Sequence, residues 1–404
     1  MLNHVDVLVV GGGPAGAALA LGLKDSGLKV MVLEAGGGSP LPNPPPLAGE
    51  GAMDRSDAYP DPRALALSYG AKMLLQRLAV WDKVQGATPI EKIHISQRGG
   101  FGRAVLDAGE AGVKTLGYVV NYSALGAAMQ ATLHQNNPLH LGGARVLEVK
   151  STPGFGLARF ERGGEEHEVT ASLLVLADGG RSLGQVPGVS RHIVDYDQTA
   201  IICHVMTDAP QRHIAYERFT PKGPMALLPS GEGYDLVWTA RPDEAASLLL
   251  LDDPGFLQQL SERFGSRADA FVQAGKRSAF PLSLKYARPV TAQRLALIGN
   301  AAQAMHPVAG QGFNLGLRDA WELAETILKT PRAELGGSAM LAQYRDRRRS
   351  DTSGAILFTD LLVRAFSNDY HGLRIARGAG LALLDSLPFA KKWVARKMIF
   401  GAKG

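Results

Sequence analysis

Short apolar runs separated by a helix-favouring segment dominate the start of the chain. Residues 6–10 and 29–33 are largely aliphatic, and residues 17–23 between them favour helix. Runs that do not alternate with polar residues indicate strands buried on both faces of a sheet. The pattern therefore predicts a βαβ unit over residues 1 to about 35.

Three glycines follow the first run in the spacing GxGxxG, at Gly11, Gly13 and Gly16. The first permits a tight turn, the second lets the backbone approach a pyrophosphate, and the third lets the helix pack on the strand. Glu34 ends the second apolar run, where a carboxylate accepts hydrogen bonds from a ribose diol. An acid at this position favours FAD or NAD over NADP.

Two later apolar runs also lead into glycine-containing loops. Residues 173–176 are followed by Asp178 and Gly179, a junction that equally fits an ordinary Asp-Gly turn. Residues 295–298 lead to a loop with Gly310 and Gly312 ahead of helix-forming sequence. The free backbone N–H groups at such a helix start favour a phosphate or a developing anion.

The remaining patterns divide the chain. Residues 63–83 have helical periodicity, and residues 120–133 predict a strand entering a helix. Residues 185–285 alternate strand-like runs with one helical segment, 254–264, which is typical of a mostly antiparallel sheet. The Gly- and Pro-rich residues 36–62 predict a surface loop.

These patterns predict an α/β fold with a discontinuous nucleotide-binding domain. It comprises residues 1–184 and 286–350, with an inserted substrate domain at 185–285 and C-terminal helices at 351–404.

Composition narrows the function. The single cysteine, Cys203, excludes an internal disulfide and fits an inert thiol in a buried strand. No CxxC or HExxH spacing occurs, so neither a structural nor a catalytic metal is expected. A lone cysteine suits the reducing cytoplasm, where the protein is expected. A signal peptide and a membrane span are not expected. The arginines at 347–349 have no spacing that favours chemistry and fit ordinary core residues or a solvated helix face.

The basic C-terminus is a separate feature. Residues 389–404 carry five cations and no acid, which equals the formal net charge of +5 for the whole chain. Bulky apolar residues lie between these cations, as in a helix that rests on an anionic membrane surface. The alternative is a final helix docked on the core with solvated lysines. Nucleic acid is not expected as a partner, because the basic excess is local and no nucleic-acid-binding motif accompanies it.

The order of these segments resembles the flavin-dependent aromatic hydroxylases with the para-hydroxybenzoate hydroxylase fold. Within them the chain resembles the ubiquinone-biosynthesis hydroxylases, most closely the 2-polyprenyl-6-methoxyphenol hydroxylase type. The motifs that carry the resemblance span almost the whole chain: GGGPAG (11–16), DPRALALS (61–68), GYVV (117–120), ADGGRS (177–182), ERFTPKGPMALLP (217–229), FPLSL (280–284), GNAAQAMHPVAGQGFNLGLRD (299–319) and TDLLVRAFSND (359–369).

The resemblance implies a Rossmann-like, GR2-type FAD-binding domain with an inserted, mostly antiparallel substrate domain. NAD(P)H would reduce FAD, and oxygen would pass through a flavin C4a-hydroperoxide to a polyprenylated phenol in ubiquinone biosynthesis. It also implies peripheral association with the inner membrane and contact with other ubiquinone-biosynthesis proteins.

The implied site combines the motif residues. The expected cofactor-binding residues are Gly11, Gly13, Gly16, Glu34, Arg63, Asp178, Gly179, Asn300, Gly310, Gln311, Gly312 and Asn314. His306 and Pro307 would lie beside the flavin, Pro307 fixing the backbone and His306 either handling a proton or holding the loop by hydrogen bonds. Arg63 would contact FAD or shape its cavity, the alternative being a surface ion pair.

Two positions depart from many relatives. Asn300 replaces an aspartate that accepts a hydrogen bond from the ribityl chain, and an amide oxygen can also accept one. The arginine that many relatives carry shortly after the GYVV strand is missing from residues 121–125, so these residues are assigned no cofactor role.

Two other functions fit the same cofactor. One is a flavin dehydrogenase or reductase without oxygen insertion, and the other is a non-catalytic flavoprotein component of a biosynthetic complex.

Overall fold

A computed structural model describes residues 4–36, 63–366 and 370–402, so the predicted surface loop at 36–62 lies outside the described residues apart from Gly36. The described residues form 20 strands and ten α-helices. The strands are β1 (His4–Val10), β2 (Val30–Glu34), β3 (Ala64–Ser68), β4 (Thr88–Ile90), β5 (Lys92–Gln97), β6 (Arg103–Asp107), β7 (Gly117–Asn121), β8 (His140–Gly142), β9 (Arg145–Ser151), β10 (Gly156–Arg162), β11 (Glu165–Leu176), β12 (Ser190–Thr207), β13 (Ile214–Thr220), β14 (Gly223–Ser230), β15 (Gly233–Ala240), β16 (Phe271–Ala274), β17 (Ser278–Arg288), β18 (Thr291–Ala292), β19 (Leu295–Leu297) and β20 (Gln303–Ala304). The helices are α1 (Pro14–Gly22), α2 (Tyr69–Arg77), α3 (Ala108–Ala111), α4 (Tyr122–Asn136), α5 (Pro242–Leu249), α6 (Asp253–Phe264), α7 (Gln311–Leu328), α8 (Ser338–Phe366), α9 (His371–Ser386) and α10 (Pro388–Phe400).

The first sheet carries the predicted βαβ unit. Its strands run in the order β18-β19-β11-β1-β2-β8, and the pairs from β19 to β8 are parallel. Val7 and Val9 of β1 pack under α1, α4 and α7, whereas Leu8 and Val10 face the antiparallel extension β9–β10. Because both faces are covered, β1 is apolar along nearly its whole length. The predicted Rossmann-like domain is confirmed.

The second sheet runs in the order β20-β17-β12-β15-β14-β13-β5-β6, with β16 paired to β12. Its pairs are antiparallel except for β13 with β5, which confirms the mostly antiparallel prediction. Strands β5 and β6 precede residue 185, however, so the predicted range 185–285 omits one edge of the sheet. Side chains of α5 and α6 cover one face of the sheet.

Two local predictions are wrong. Residues 63–83 do not form one helix: β3 pairs with β7, and α2 begins only where the Ser68 hydroxyl accepts a hydrogen bond from the Ala71 N–H at 3.1 Å. The alternating sequence ALALS fits strand periodicity as well as helix. The second sheet also carries two helices rather than one, because Pro242 starts α5 with two acids in its first turn.

The C-terminal helices pack on the second sheet: α8 contacts β14, α9 contacts β5 and β6, and α10 contacts β6 and also α2. Ala395 and Ile399 of α10 are buried, and Lys391 forms an ion pair with Glu110 at 2.9 Å. One face of α10 is therefore docked on the protein, which was one of the two alternatives. Within the part of the chain that is described, the helices are all too short or too polar to cross a bilayer.

Candidate active site

A cavity of about 420 Å³, here called the nucleotide cavity, lies at the carboxyl ends of the parallel strands. Its walls come from the loops after β1, β2, β11 and β19 together with the start of α7. Seven of the predicted cofactor residues line it, namely Gly11, Gly13, Glu34, Asp178, Gly179, Asn300 and Gly312. Ligands of open α/β sheets bind at this edge, so the fold and the motif residues indicate the same place.

The glycines of the first loop are required for different reasons. Gly11 has φ of +104°, and a Cβ there would lie 2.6 Å from the Ala177 carbonyl oxygen. A Cβ on Gly16 would overlap the Gly11 carbonyl oxygen, so this position supports helix packing and does not line the cavity. A Cβ on Gly13 would have no neighbour within 4 Å. Since the protein itself leaves room there, a ligand approaching the backbone explains Gly13.

Glu34 lies opposite this loop. Its carboxylate accepts hydrogen bonds from the backbone N–H of Gly12 and from that of Gly36 at 3.3 Å. Gln130 of α4 donates to the Gly12 carbonyl oxygen and also lines the cavity. Glu34 therefore shapes the glycine loop, and it retains lone pairs for a diol. No motif marked Gln130, because its placement depends on how α4 packs on the sheet.

Asp178 stabilises its own turn. One carboxylate oxygen accepts the Gly180 N–H at 2.9 Å and the other accepts the Ser182 N–H at 2.8 Å. Gly179 follows with φ of +73°. The segment is thus an Asp-Gly turn and a wall of the nucleotide cavity at the same time.

A second cavity of about 540 Å³, here called the apolar cavity, lies between the second sheet and the C-terminal helices. It includes Arg63, Gly310, His306 and Pro307 among the predicted residues. Five residues line both cavities: Tyr122, Gly179, Asn300, Gly312 and Phe313. The two cavities therefore adjoin, with Asn300 and the start of α7 at their junction.

The start of α7 is held by side chains that do not line either cavity. The Asn314 amide oxygen accepts the Ser68 N–H at 2.8 Å, and its amino group donates to the carbonyl oxygens of Ala66 and Gly310. Gln311 is also buried away from both cavities. The side chains of Gln311 and Asn314 therefore line neither cavity, and that of Asn314 joins α7 to β3. Their assignment to the cofactor site stays a prediction.

The backbone donors at this helix start also differ from expectation. The Gly310 N–H donates to the Pro307 carbonyl oxygen at 2.9 Å, so it is not available to a ligand. Gly312 lies in the first turn of α7, where N–H groups have no carbonyl partner within the helix, and it lines both cavities. A Cβ on Gly312 would have no neighbour within 4 Å, as at Gly13.

His306 is almost completely buried and uses both ring nitrogens. Nδ1 accepts the Val308 N–H at 3.1 Å, and Nε2 lies 3.2 Å from the Gln198 amide oxygen, to which it donates. Burial lowers the pKa of His306 to about 4, so the ring is neutral at neutral pH. Of the two predicted roles, this geometry favours holding the loop, since neither nitrogen is left for a substrate proton.

Arg63 lines the apolar cavity next to Tyr122 of the junction. Its guanidinium carbon is 4.9 Å from the centre of the Tyr122 ring and 5.6 Å from that of Phe280. Tyr122 occupies the stretch where many relatives carry an arginine and where no role was expected. It begins α4 directly after Asn121, whose side chain caps the helix, and it lines both cavities.

A buried ion-pair network supports the junction from behind. Asp319 accepts hydrogen bonds from the Gly299 N–H at 3.1 Å and from Arg348 Nε at 2.6 Å. Arg348 also pairs with Asp351 at 2.6 Å, and the two carboxylates raise its pKa although burial opposes this. Arg348 is only 4% exposed, so of the two structural roles expected for residues 347–349 it has the buried one. The side of α8 that carries Arg348 faces Asp319 of α7.

These features fit FAD. Gly13 and Gly312 leave space beside the backbone for phosphates and a flavin, and Glu34 lies where an adenosine ribose would bind. The flavin ring would bind near Asn300, where the nucleotide cavity adjoins the apolar cavity. Cys203, which lies in the wall of the apolar cavity, keeps its proton because burial raises its pKa to about 12.

Comparisons with known proteins agree with this geometry. One FAD binding domain model matches residues 54–358, and another matches residues 6–40. The ubiquinone hydroxylase UbiL of Rhodospirillum rubrum is 34% identical over 397 residues, which cover 97% of this chain and 88% of that protein. The 3-demethoxyubiquinol 3-hydroxylase of Escherichia coli is 31% identical over 399 residues, covering 96% of each chain.

The fold has a solved counterpart in the p-nitrophenol 4-monooxygenase PnpA of Pseudomonas putida. The TM-score is 0.76 at 18% identity, covering 99% of this chain and 100% of that chain, which shows the shared fold alone. The sequence relatives and the family model show more. The chain belongs to the family of FAD-dependent aromatic hydroxylases that contains the ubiquinone hydroxylases.

Proposed function

We propose that this FAD-dependent monooxygenase hydroxylates the ring of a polyprenylated phenol in ubiquinone biosynthesis. One atom of O₂ enters a ring C–H bond to give a C–OH group. The other atom leaves as water, and NAD(P)H supplies the two electrons. The observation that carries the proposal is that the apolar cavity of about 540 Å³ adjoins the nucleotide cavity, with five residues lining both.

The walls of the apolar cavity support this class of substrate. Four strands of the second sheet contribute apolar side chains to these walls, namely Ile93 and Ile95 of β5, Ile202 of β12, Phe219 of β13 and Leu228 of β14. Burial of a prenyl chain against such walls is favourable by about 25 cal/mol per Å² of apolar surface. The names of the two relatives also refer to ubiquinone and to a ubiquinol precursor.

The chain's own residues have defined tasks in this reaction. Gly13, Glu34 and Asn300 would hold FAD, which supplies the two-electron redox chemistry and the activation of oxygen. The first turn of α7 places the positive end of its dipole at the junction, where it would stabilise negative charge on the cofactor. The apolar walls exclude water, which protects reactive oxygen species from unproductive loss.

Isotope labelling tests the proposal. The FAD-loaded protein is incubated with NAD(P)H, ¹⁸O₂ and a phenol carrying a short prenyl chain, and the product is analysed by mass spectrometry. The proposal predicts a hydroxylated product that contains one ¹⁸O atom. A parallel reaction with unlabelled O₂ in H₂¹⁸O should yield unlabelled product. Oxidised product without ¹⁸O would indicate a dehydrogenase. NAD(P)H turnover that no phenol accelerates would contradict hydroxylation.

A further inference from the structure

The three C-terminal helices expose an unusual amount of apolar surface. Six large apolar side chains on them are between 46% and 82% exposed, namely Leu357 and Leu361 of α8, Leu373 and Leu383 of α9, and Phe389 and Trp393 of α10. These six residues define the C-terminal apolar surface. Single exposed apolar residues are common, but α9 and α10 contact each other and all three helices line the apolar cavity, so this group marks a binding face.

Helix α9 exposes apolar side chains and turns charged side chains towards the protein, the reverse of a helix that faces water. Leu373, Ile375 and Leu383 are exposed. In contrast, Arg374 and Arg377 are half-buried, and Arg377 Nε donates to the Gln97 amide oxygen at 3.1 Å. A helix that faces water normally turns its charges outwards. The outer face of α9 is therefore suited to an apolar environment.

Helix α10 has three distinct faces. Ala395 and Ile399 are buried, whereas Phe389 and Trp393, four residues apart, point outwards together. Lys392 and Arg396 form an exposed basic row beside them. An apolar stripe with flanking cations and a tryptophan is typical of helices that lie in the headgroup region of a membrane.

The acidic residues of these helices do not offset the basic row. Among the described residues 357–402 the acids are Asp360 and Asp385, and both engage the protein. Asp360 accepts a hydrogen bond from the Tyr196 hydroxyl at 3.3 Å, and Asp385 accepts the Val105 N–H at 3.0 Å. A second copy packed on this face by two-fold symmetry would oppose like charges without carboxylates to pair them. Anionic lipid headgroups complement this surface.

The same helices form one wall of the apolar cavity. Leu362 of α8, Leu384 of α9 and Met398 of α10 line it from the inside, and Phe358 both lines it and is 39% exposed. A single layer of helices thus separates the cavity from the C-terminal apolar surface. An amphiphilic molecule could pass between them without its chain entering water.

We propose that the C-terminal apolar surface docks on an anionic bilayer and that the phenol head enters the cavity from the lipid, past Phe358. Its prenyl chain remains in contact with the membrane and with the inner faces of α8, α9 and α10. The entry route rests on the proposed function, whereas bilayer docking does not.

Vesicle flotation with the FAD-loaded full-length protein tests the docking. The vesicles contain either phosphatidylcholine alone or equal parts of phosphatidylcholine and phosphatidylglycerol. Binding should require the anionic lipid and weaken with salt. The double variant Phe389→Ser/Trp393→Ser should lower the partition coefficient by at least about tenfold. Phe389→Leu/Trp393→Phe, which stays apolar, should retain binding.

A matched control separates this surface from general loss of apolar residues. Leu250 and Leu328 are 88% and 53% exposed and lie far from the C-terminal helices in sequence, so Leu250→Ser/Leu328→Ser should bind vesicles like the wild type. Retained FAD and an unchanged circular dichroism spectrum establish that each variant is folded. Equal vesicle binding by Phe389→Ser/Trp393→Ser and the wild type would overturn the proposal. The proposal would also be overturned if the wild-type protein does not bind vesicles but forms a dimer that Phe389→Ser/Trp393→Ser abolishes.

Activity measurements distinguish the two proposals. With a soluble short-chain phenol and no vesicles, Phe389→Ser/Trp393→Ser should turn over like the wild type, whereas with a long-chain phenol in vesicles its rate should fall with the loss of binding. Vesicle binding without hydroxylation of any phenol would refute the proposed function and leave docking intact. Hydroxylation of the vesicle-borne substrate at the wild-type rate by the non-binding variant would refute entry from the lipid.

Discussion

The two cavities of this protein are built from different parts of the chain. The walls of the nucleotide cavity come largely from loops at strand ends, where glycines such as Gly11, Gly13 and Gly312 expose their backbone. The walls of the apolar cavity are side chains from the second sheet and from α8, α9 and α10. A site made of backbone tolerates few residue types at fixed spacings, whereas a site made of apolar side chains accepts many combinations of similar volume.

The difference explains which substitutions should be decisive. In the nucleotide cavity a single added side chain competes directly with the ligand. At the junction the loops are positioned by buried polar groups, so a substitution there acts on stability before it acts on binding.

The largest effect is expected from Gly13→Glu, which should abolish retention of FAD. The new side chain would extend into the open space beside Gly13 and would place a negative charge against the pyrophosphate. Flavin absorbance per protein after purification measures the loss. Gly154→Glu is the matched control, because Gly154 is exposed, has no neighbour within 4 Å of a Cβ and lies away from both cavities. A fully loaded yellow Gly13→Glu protein would contradict the assignment of this cavity.

The second largest effect is expected from Arg348→Ala. The substitution leaves the buried Asp319 carboxylate without the arginine that pairs with it, whereas Asp351 keeps Arg318. Breaking such a buried pair typically costs about 3–5 kcal/mol of unfolding free energy. Because Asp319 also holds the Gly299 N–H, FAD retention should fall as well. Urea unfolding of the apoprotein measures the first effect and flavin content measures the second.

Arg347→Ala provides the comparison on the neighbouring residue. Arg347 pairs with Glu322 at 3.1 Å in a partly exposed position, so its loss should cost about 1 kcal/mol or less. Equal destabilisation by Arg347→Ala and Arg348→Ala would mean that the buried network does not support the junction.

The sequence predicted the nucleotide cavity well because backbone geometry restricts its residues. The spacing of Gly11, Gly13 and Gly16 follows from one strand, one turn and one helix, all within a short stretch. The end of β11, which Asp178 follows, was also predicted from a short local stretch of sequence. Local rules suffice where the interacting residues are close in sequence.

Features that depend on distant packing were missed. Strand β5 pairs in parallel with β13, about 120 residues later in the chain, and no local pattern indicates this partner. Arg348 lies in a run of three arginines, and only the packing of α8 on α7 decides which of them is buried. Tyr122 was overlooked because the expected residue type was missing, although its position beside a strand end was already apparent.

The smallest effect concerns His306 at the wall of the apolar cavity. Burial lowers its pKa to about 4 in the folded protein from an ordinary value of 6.5, so below pH 6.5 the unfolded chain takes up a proton that the folded protein does not. Stability should therefore fall as the pH falls, with about 2 kcal/mol lost between pH 7 and pH 5 through this residue. His306→Asn should flatten this part of the curve in urea unfolding, whereas the exposed His192→Asn should not. If His306 instead transfers a proton during hydroxylation, His306→Asn should reduce kcat at neutral pH by about 10²–10⁴-fold, and a positioning residue should change it far less.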